Sequence, residues 1–531
     1  MINCEEILLL NRLDILSTGL LQQKNLFSLR GIEKEGLRIT RDGMIASTPH
    51  PRIFGSALTH PSLTTDYSES MIELITPAEA DAVLSMKDLD MLHRYVYRSI
   101  GNEILWTNSM PGILPEEDQI KIAEYGSSNI GRLKTIYRRG LANRYFGKKM
   151  QCIAGIHYNF SIKEEIWCSI LKEKESTKKL PIECCSKGYL ALIRNFHRTS
   201  WLLAYLFGAT PVVDVRFLFG RMHTLEIFDK DTLYGPYTTC LRMSRLGYSS
   251  SVKQIMLHPD YNTILGYIKT LSKFVSEPHP DYEAIGTHHN GEWIQINTNI
   301  LQIENELYSR IRPKCVPYLY ERQLQAIATR GIQYIEIRCL DIDPFEPNGI
   351  RLDTMRFLDA YLLFCALESS PPIDSDAYCE SDINFERVTM EGRRPGLMLS
   401  CNSRPISFIE WAYELLEKIS LAGHYLDEIY GSHEHMDAIV LQKDKLDNPE
   451  NTPSARVLRK LSENSQSFIQ FVLMQSKVYA EYFRNQPLSD EYIHSASALA
   501  KYSLEQQSEI EGKEDEPFDT FMKKYSSYRV D

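Results

Sequence analysis

The residues with the most chemistry to offer are carboxylates. Glu33, Glu35, Asp66, Glu69, Glu73 and Glu336 are spread over distant parts of the chain, with His157 as a neutral imidazole among them. If several of them share a cavity, their mutual repulsion raises their pKa values unless cations are present. Hard oxygen ligands suit magnesium or manganese. Magnesium is commonly held by a few carboxylates together with substrate phosphates, which points to ATP rather than to a structural ion. The competing explanation is a set of separate surface carboxylates in ordinary salt bridges. Neither a G-x-x-x-x-G-K-S/T loop nor a G-x-G-x-x-G pattern occurs. An ATP enzyme with this sequence must therefore hold phosphates through metals and arginines.

A second group is basic and aromatic. Arg132, Lys134, Arg138 and Arg144 crowd one stretch with Tyr125, Tyr137 and Tyr145. Arg242 and Tyr248 lie six residues apart, and Tyr308 is followed by Arg310 and Arg312. Arginine grips carboxylate and phosphate bidentately, and tyrosine gives a small polar substrate a ring wall and a hydroxyl. The plain alternative for such a run is a solvated face. His424, His433 and His435 look metal-like, but Gly423 and Gly431 suggest a loop region, and their closeness is expected to be incidental.

These side chains need elements to position them. Four segments alternate with period 2, so alternate residues share a face. Ile32–Glu35 puts Glu33 and Glu35 together, and Ile156–Phe160 does the same for His157 and Asn159. Trp293–Ile300 aligns Gln295, Asn297 and Asn299, and Tyr334–Arg338 aligns Glu336 with Arg338. Solvated strand faces usually carry threonine, lysine and mixed charge. Here the polar faces hold carboxylates, an imidazole, amides and an arginine, as the floor of a binding site would. Beyond Ser369-Ser370-Pro371-Pro372 the pattern becomes helical, at Phe408, Trp411, Ala412, Leu415, Leu416 and Ile419, and again at Val457, Leu458, Leu461, Phe468, Ile469 and Val472. The boundary divides an α+β catalytic unit, residues 1–370, from a mostly helical region, residues 371–531, packed on it. The charged tail from Glu505 onward is expected to fray.

Bulk properties narrow the partners. A formal net charge of -11 argues against nucleic acid or an anionic membrane as the main partner. No stretch approaches the ~20 apolar residues of a membrane span. The first residues lack the basic start and apolar run of a signal peptide, so a cytoplasmic protein is expected. Eleven cysteines without C-x-x-C spacing read as reduced, mostly buried thiols rather than a disulfide or zinc framework. A monomer is expected.

Several stretches resemble bacterial type 1 glutamate–cysteine ligases. They are Arg30-Gly31-Ile32-Glu33-Lys34-Glu35-Gly36-Leu37-Arg38, Ser56-Ala57-Leu58-Thr59-His60, Thr64-Thr65-Asp66-Tyr67-Ser68-Glu69 and Glu73-Leu74-Ile75-Thr76-Pro77. Further on come Tyr125-Gly126-Ser127-Ser128-Asn129, Gly155-Ile156-His157-Tyr158-Asn159-Phe160, Leu301 to Tyr308, and Glu336-Ile337-Arg338. The likeness runs in order over most of residues 28–400. It implies a glutamine-synthetase-like cup of curved, mainly antiparallel sheet surrounded by helices. It also implies ATP-dependent joining of the γ-carboxylate of L-glutamate to the amine of L-cysteine, the first step of glutathione synthesis, with Mg2+ or Mn2+ as cofactor. By motif, Glu33, Glu35, Asp66, Glu73, His157 and Glu336 resemble the metal ligands, with Glu69 a weaker match. Arg338 resembles the arginine that steadies the transferring phosphoryl group, beside Glu336. Tyr137, Gln151, Asn159, Arg242, Tyr248 and Tyr308 resemble the pocket for cysteine. Lys34 and Gly36 depart from the pattern, where arginine and a small hydroxyl residue are usual. The stretch Asp214 to Asp231 and the C-terminal third match poorly. No ATP-grasp extension like that of the bifunctional fusions is present, so the reaction is expected to stop at the dipeptide. Two other functions compete: a ligase of the same fold using a different amine, and a non-catalytic protein that binds metal or nucleotide for regulation.

Overall fold

The structure, a computed structural model, describes residues 4–20, 28–171, 181–218, 220–248, 257–514 and 516–527. Seven strands form its main sheet: β1 (Ser28–Ile39), β2 (Leu63–Thr65), β3 (Met71–Ile75), β4 (Ile104–Leu105), β5 (Ile156–Ile162), β6 (Ile311–Lys314) and β7 (Tyr334–Leu340). The order is β6-β7-β5-β1-β3-β2, with β4 paired to the end of β1. Every pairing in it is antiparallel. The α+β architecture expected from the sequence is therefore the one observed.

The register explains why one face of this sheet is polar. Directly opposed residues on antiparallel strands point to the same side. Glu73 of β3 faces Glu35 of β1, Glu33 of β1 faces His157 of β5, Asn159 of β5 faces Glu336 of β7, and Glu336 faces Arg312 of β6. A one-residue slip anywhere would send these groups into the core and bring isoleucines out. The apolar partners on the other face hold the register. Ile32, Leu74, Ile156, Tyr158, Phe160, Ile335 and Ile337 are all buried.

The helices that accompany the sheet include α1 (Ala82–Ser99), α2 (Asn129–Arg144), α3 (Leu352–Leu367), α4 (Phe408–Tyr430), α5 (Glu434–Asp447), α6 (Pro453–Asn464), α7 (Asp490–Lys513) and α8 (Phe518–Ser527). Helix α3 packs on the apolar face of the sheet. Its one buried carboxylate, Asp359, forms a 3.0 Å ion pair with Arg30 and accepts a 2.8 Å hydrogen bond from the Tyr158 hydroxyl. A charge in that place needs both partners, because an unpaired buried carboxylate is very costly. Lys34 also points to this face and lies 2.7 Å from His93 Nε2 of α1. Burial pushes its amine down to about 7. Lysine can shed its charge there and arginine cannot, which gives the departure at position 34 a physical setting.

The main apolar core runs from Leu9 to Leu488, on both sides of Ser369–Pro372. The helical spacing read beyond residue 400 corresponds to α4, capped by Ser407 and ended by Gly431 at φ 63, and to α6. The following helix, Phe468–Asn485, is separated from α6 at Ser465, whose φ is 48. His435 is tied to Asp427 at 2.8 Å, and Asp427 also accepts the backbone N–H groups of His435 and Met436. That histidine organises the turn between α4 and α5, as expected of an incidental cluster.

Two expectations fail. Trp293–Ile300 is not a strand beyond Glu292–Trp293. Its polar side chains instead bond loop backbone: Gln295 donates to Tyr282 and Gly286, Asn297 to Gln302, and Asn299 to Val275. Asparagine and glutamine side chains of this kind compete with a sheet ladder for backbone groups. The tail does not fray over its described length either. Helix α7 continues to Lys513, and α8 buries Phe518 and Met522 against Leu133 and Ile136 of α2. Arg132 stacks on the Phe518 ring at 4.1 Å. Charge dominated the reading of this segment, and the apolar stripe of Phe518, Phe521, Met522 and Tyr525 decided its fate.

Candidate active site

The polar face of the sheet is the floor of a cavity of about 300 Å³. Glu33, Glu35, Asp66, Glu73, His157, Glu336 and Arg338 all line it, as do Tyr137, Gln151, Arg242, Tyr248 and Tyr308. Asn159 is not among the lining residues. It stands behind Glu33 and donates to its Oε1 at 2.8 Å. Glu69 lies elsewhere. Its two oxygens accept the backbone N–H of His50 at 2.5 Å and of Glu124 at 2.7 Å, so it ties two loops together. Glu69→Gln should leave ligation unchanged and lower stability by about 1.5–3 kcal/mol, the usual worth of a hydrogen bond to a charged group. Denaturant melts alongside turnover measurements check both halves of this expectation.

His157 is the hub of the floor. Its Nδ1 lies 3.2 Å from Glu33 and 3.6 Å from Glu336, and its Nε2 lies 3.6 Å from Glu35. Glu35 is further fixed by the Gly155 N–H, which donates to Oε2 at 2.6 Å. Asp66 follows β2, and its carbonyl is held by the Tyr125 hydroxyl at 3.0 Å and by Arg138 of α2. Distant sequence segments thus converge because four neighbouring strands, β7, β5, β1 and β3, and one loop share a face.

Charge is distributed unevenly over this floor. Glu336 contacts Arg338 and lies 2.9 Å from Lys314. Burial alone would raise its pKa, but Lys314, Arg338 and His157 hold it well below the ordinary carboxylate value. Burial and the repulsion of Glu336 would raise Glu33 too, but the hydrogen bond and charge of His157, together with Lys314, leave it below the ordinary value. At the other end burial, reinforced by Glu33, Asp66 and Glu35, pushes Glu73 well above the ordinary value. Glu35 is raised chiefly by burial, against the pull of His157.

Two sets of side chains can each converge on one ion: Glu33, His157 and Glu336, and Glu35, Glu73 and His157, with ligand atoms within 4.8 Å of one another. The first set already has Lys314 and Arg338 as counter-charges. Among the described residues no lysine or arginine forms an ion pair with Glu35 or Glu73. A divalent cation would offset the burial and mutual repulsion that raise Glu35 and Glu73. The donor set, mostly carboxylate oxygen with one imidazole, fits a hard cation of the magnesium or manganese kind.

One wall is basic and aromatic. Arg242 is buried, donates to the Arg338 carbonyl at 3.0 Å, and lies with its guanidinium 5.3 Å from the centre of the Tyr248 ring. The Tyr248 hydroxyl donates to the Ile153 carbonyl at 2.5 Å, and its ring sits 6.4 Å from that of Tyr308. The absence of a side chain at Gly155 makes this possible, because a Cβ there would collide with the Arg242 guanidinium. Of the basic run on α2, only Arg138 reaches the cavity. Arg144 is instead buried against Glu306 at 3.1 Å, and Lys134 lies over the Tyr125 ring.

Sequence reasoning missed Lys314 and Tyr67. Lys314 had a usable signal, since it alternates with Arg312 across Pro313 on β6. Tyr67 has none beyond its place between Asp66 and Ser68. Its ring lines the cavity and its buried hydroxyl has no hydrogen-bond partner among the described residues.

A carboxylate floor with two candidate cation sites, flanked by arginines, suits reactants that carry anionic groups. The family model described as glutamate-cysteine ligase matches residues 17–388. A glutamate–cysteine ligase from Pseudomonas putida is 53% identical over 520 residues, covering 98% of each chain. Another, from Pseudomonas paraeruginosa, is 52% identical over 499 residues, 94% of each chain. The crystal structure of a Francisella tularensis glutamate–cysteine ligase in complex with AMP superimposes with a TM-score of 0.89 at 33% identity, covering 94% of this chain and 98% of that one. A bifunctional glutathione synthetase from Pasteurella multocida shares the fold, with a TM-score of 0.71 at 24% identity, covering 94% of this chain and 58% of its own. The chain belongs to the glutamate–cysteine ligase family and is a ligase.

Proposed function

We propose that this ligase joins the γ-carboxylate of L-glutamate to the amine of L-cysteine at the expense of ATP, with Mg2+ or Mn2+ bound on the carboxylate floor. The observation that carries this reading is the strand register, which sets Glu73, Glu35, Glu33, His157 and Glu336 in one row beside Arg338. A carboxylate is a poor acyl donor at neutral pH. Transfer of the γ-phosphoryl group of ATP to a glutamate side-chain oxygen releases ADP and gives an acyl phosphate. The cysteine nitrogen then attacks the acyl carbon, loses a proton, and phosphate departs with the original carboxylate oxygen. Bound divalent cations supply charge neutralisation for the phosphates.

The protein's own groups position and stabilise. Phosphoryl transfer depends on positioning and electrostatics more than on covalent help. Arg338 places positive charge beside the transferring group, and Glu336 fixes the direction of its guanidinium. Arg242 receives a substrate carboxylate, and Tyr137, Tyr248 and Tyr308 enclose the cysteine. Asn159 holds Glu33 in place from behind. A cavity of about 300 Å³ suits amino-acid-sized reactants.

Two assays test the assignment. Phosphate release measured with glutamate and a panel of small amines should be fastest with L-cysteine. Equal or faster release with another amine would transfer the reading to a different ligase of the same fold. Tyr248→Ala should raise KM for cysteine by about tenfold, as expected for a lost ring wall and cation–π partner, and leave KM for ATP nearly unchanged. Equal rises in both constants would remove Tyr248 from the cysteine pocket.

A further inference from the structure

A second cavity, of about 180 Å³, shares no lining residue with the catalytic cup. It lies where the end of β7 and the loop after it meet α5 and α6. Gln442 and Lys445, three residues apart on α5, present one helix face to it, and Arg456 of α6 closes another side. Lys445 donates to the Leu206 carbonyl at 2.8 Å, and Arg456 stacks on the Phe345 ring at 4.2 Å. Among the described residues neither Arg456 nor Lys445 forms an ion pair; burial pulls the Lys445 amine down to about 7, so Arg456 is the lasting positive charge and a bound anion would restore the charge on Lys445. Gln442 is 2% exposed; its Nε2 donates to the Ala438 carbonyl at 3.1 Å, and its buried Oε1 has no donor among the described residues.

The remaining walls are partly apolar, with Phe207, Leu340 and Ile350, and partly acidic. Asp343, Asp353 and Asp444 line the same space. Asp353 is taken up by Arg351 at 2.9 Å, and Asp444 by the Asn451 side chain at 2.6 Å. Asp343 accepts the Phe345 N–H at 2.9 Å, and burial holds it above the ordinary aspartate value despite Arg456 and Lys445. A simple anion would meet these carboxylates, and a simple cation would meet Lys445 and Arg456. The bare Gln442 oxygen calls for an N–H donor, because a buried acceptor left unsatisfied is costly. One small molecule carrying a carboxylate and an ammonium group close together meets all three demands.

We propose that this cavity is a binding site for a free α-amino acid with a small side chain, its carboxylate on Lys445 and Arg456 and its ammonium on Gln442 Oε1 and Asp343. The volume is below the roughly 300–1,000 Å³ of sites for drug-sized ligands, which excludes a nucleotide. Asp341 lines this cavity and lies 3.9 Å from Arg242 of the cup, so one buried residue touches both places. The site does not depend on the chemistry assigned to the cup.

Saturation-transfer NMR on the full chain with L-alanine, acetate and glycine betaine tests it. L-alanine should receive transfer, acetate much less because it lacks the ammonium, and glycine betaine much less because it has no N–H. Arg456→Gln and Gln442→Leu should each weaken L-alanine binding by about tenfold, the effect of losing one charge-assisted or buried hydrogen bond. Both should retain wild-type ligation, and Tyr248→Ala, in the cup, should retain L-alanine binding. Should Arg456→Gln fail to fold, Lys445→Gln removes the other cation. No transfer to L-alanine, equal transfer to acetate, or transfer unaffected by the cavity substitutions and lost in Tyr248→Ala would each overturn the proposal.

Discussion

Glu33→Gln is expected to reduce ligation by about 10³-fold or more while the melting temperature stays within a few degrees of wild type. The substitution keeps the shape of the side chain. It also keeps an oxygen that can accept from the Asn159 amide, which donates at 2.8 Å in the wild type. It removes one negative charge from the set shared with His157 and Glu336. The fold should tolerate this, because the Glu33 side chain is 21% exposed and faces the cup, and the β1 register rests on the opposite face, where Ile32 is buried with Leu74 and Ile156. Cation affinity should fall together with turnover. Turnover close to wild type would remove Glu33 from the site. Glu336→Gln should be as damaging to turnover but less neutral to the fold, since it strips Lys314 and Arg338 of their buried counter-charge.

Arg338→Ala should lower kcat by about 10²–10³-fold, the range seen when one preorganised donor is removed from a developing charge. Its KM for cysteine should change far less, because the tyrosines and Arg242 that enclose cysteine remain. Arg338→Lys restores the charge but not the planar fork, so it should recover only part of the loss. Steady-state kinetics of the two variants side by side check this. A change confined to KM for cysteine, with kcat intact, would place Arg338 among binding groups and away from phosphoryl transfer.

The strands carrying the floor were legible because their two faces differ sharply. Glu33 and Glu35 alternate with Ile32 and Lys34, and Glu336 and Arg338 alternate with Ile335 and Ile337. Periodicity could not show that Glu73 would face Glu35, or Glu33 face His157, since register is set by packing on the opposite face. The collinear family motifs supplied that convergence. Alternation misled at Trp293–Ile300, where the amides serve a loop and Arg144 caps the same segment through Gln295 at 2.7 Å. Glu69 shows the same limit at a single residue, since type and spacing match a ligand but two backbone N–H groups claim its oxygens. Asn159, expected in the cysteine pocket, instead stands behind Glu33 and donates to it, outside the cavity lining. Lys34, the clearest departure from the family pattern, lies on the buried face beside His93 and leaves the floor untouched.

Direct binding of Mn2+, followed by loss of the free-ion EPR signal as protein is added, tests the central claim most closely. Wild type should quench the signal, Glu33→Gln and Glu73→Gln should each restore part of it, and Glu69→Gln should behave as wild type. A free-ion signal unchanged by wild-type protein, or quenched equally by all four chains, would contradict a cup that gathers divalent cations on its row of acidic side chains.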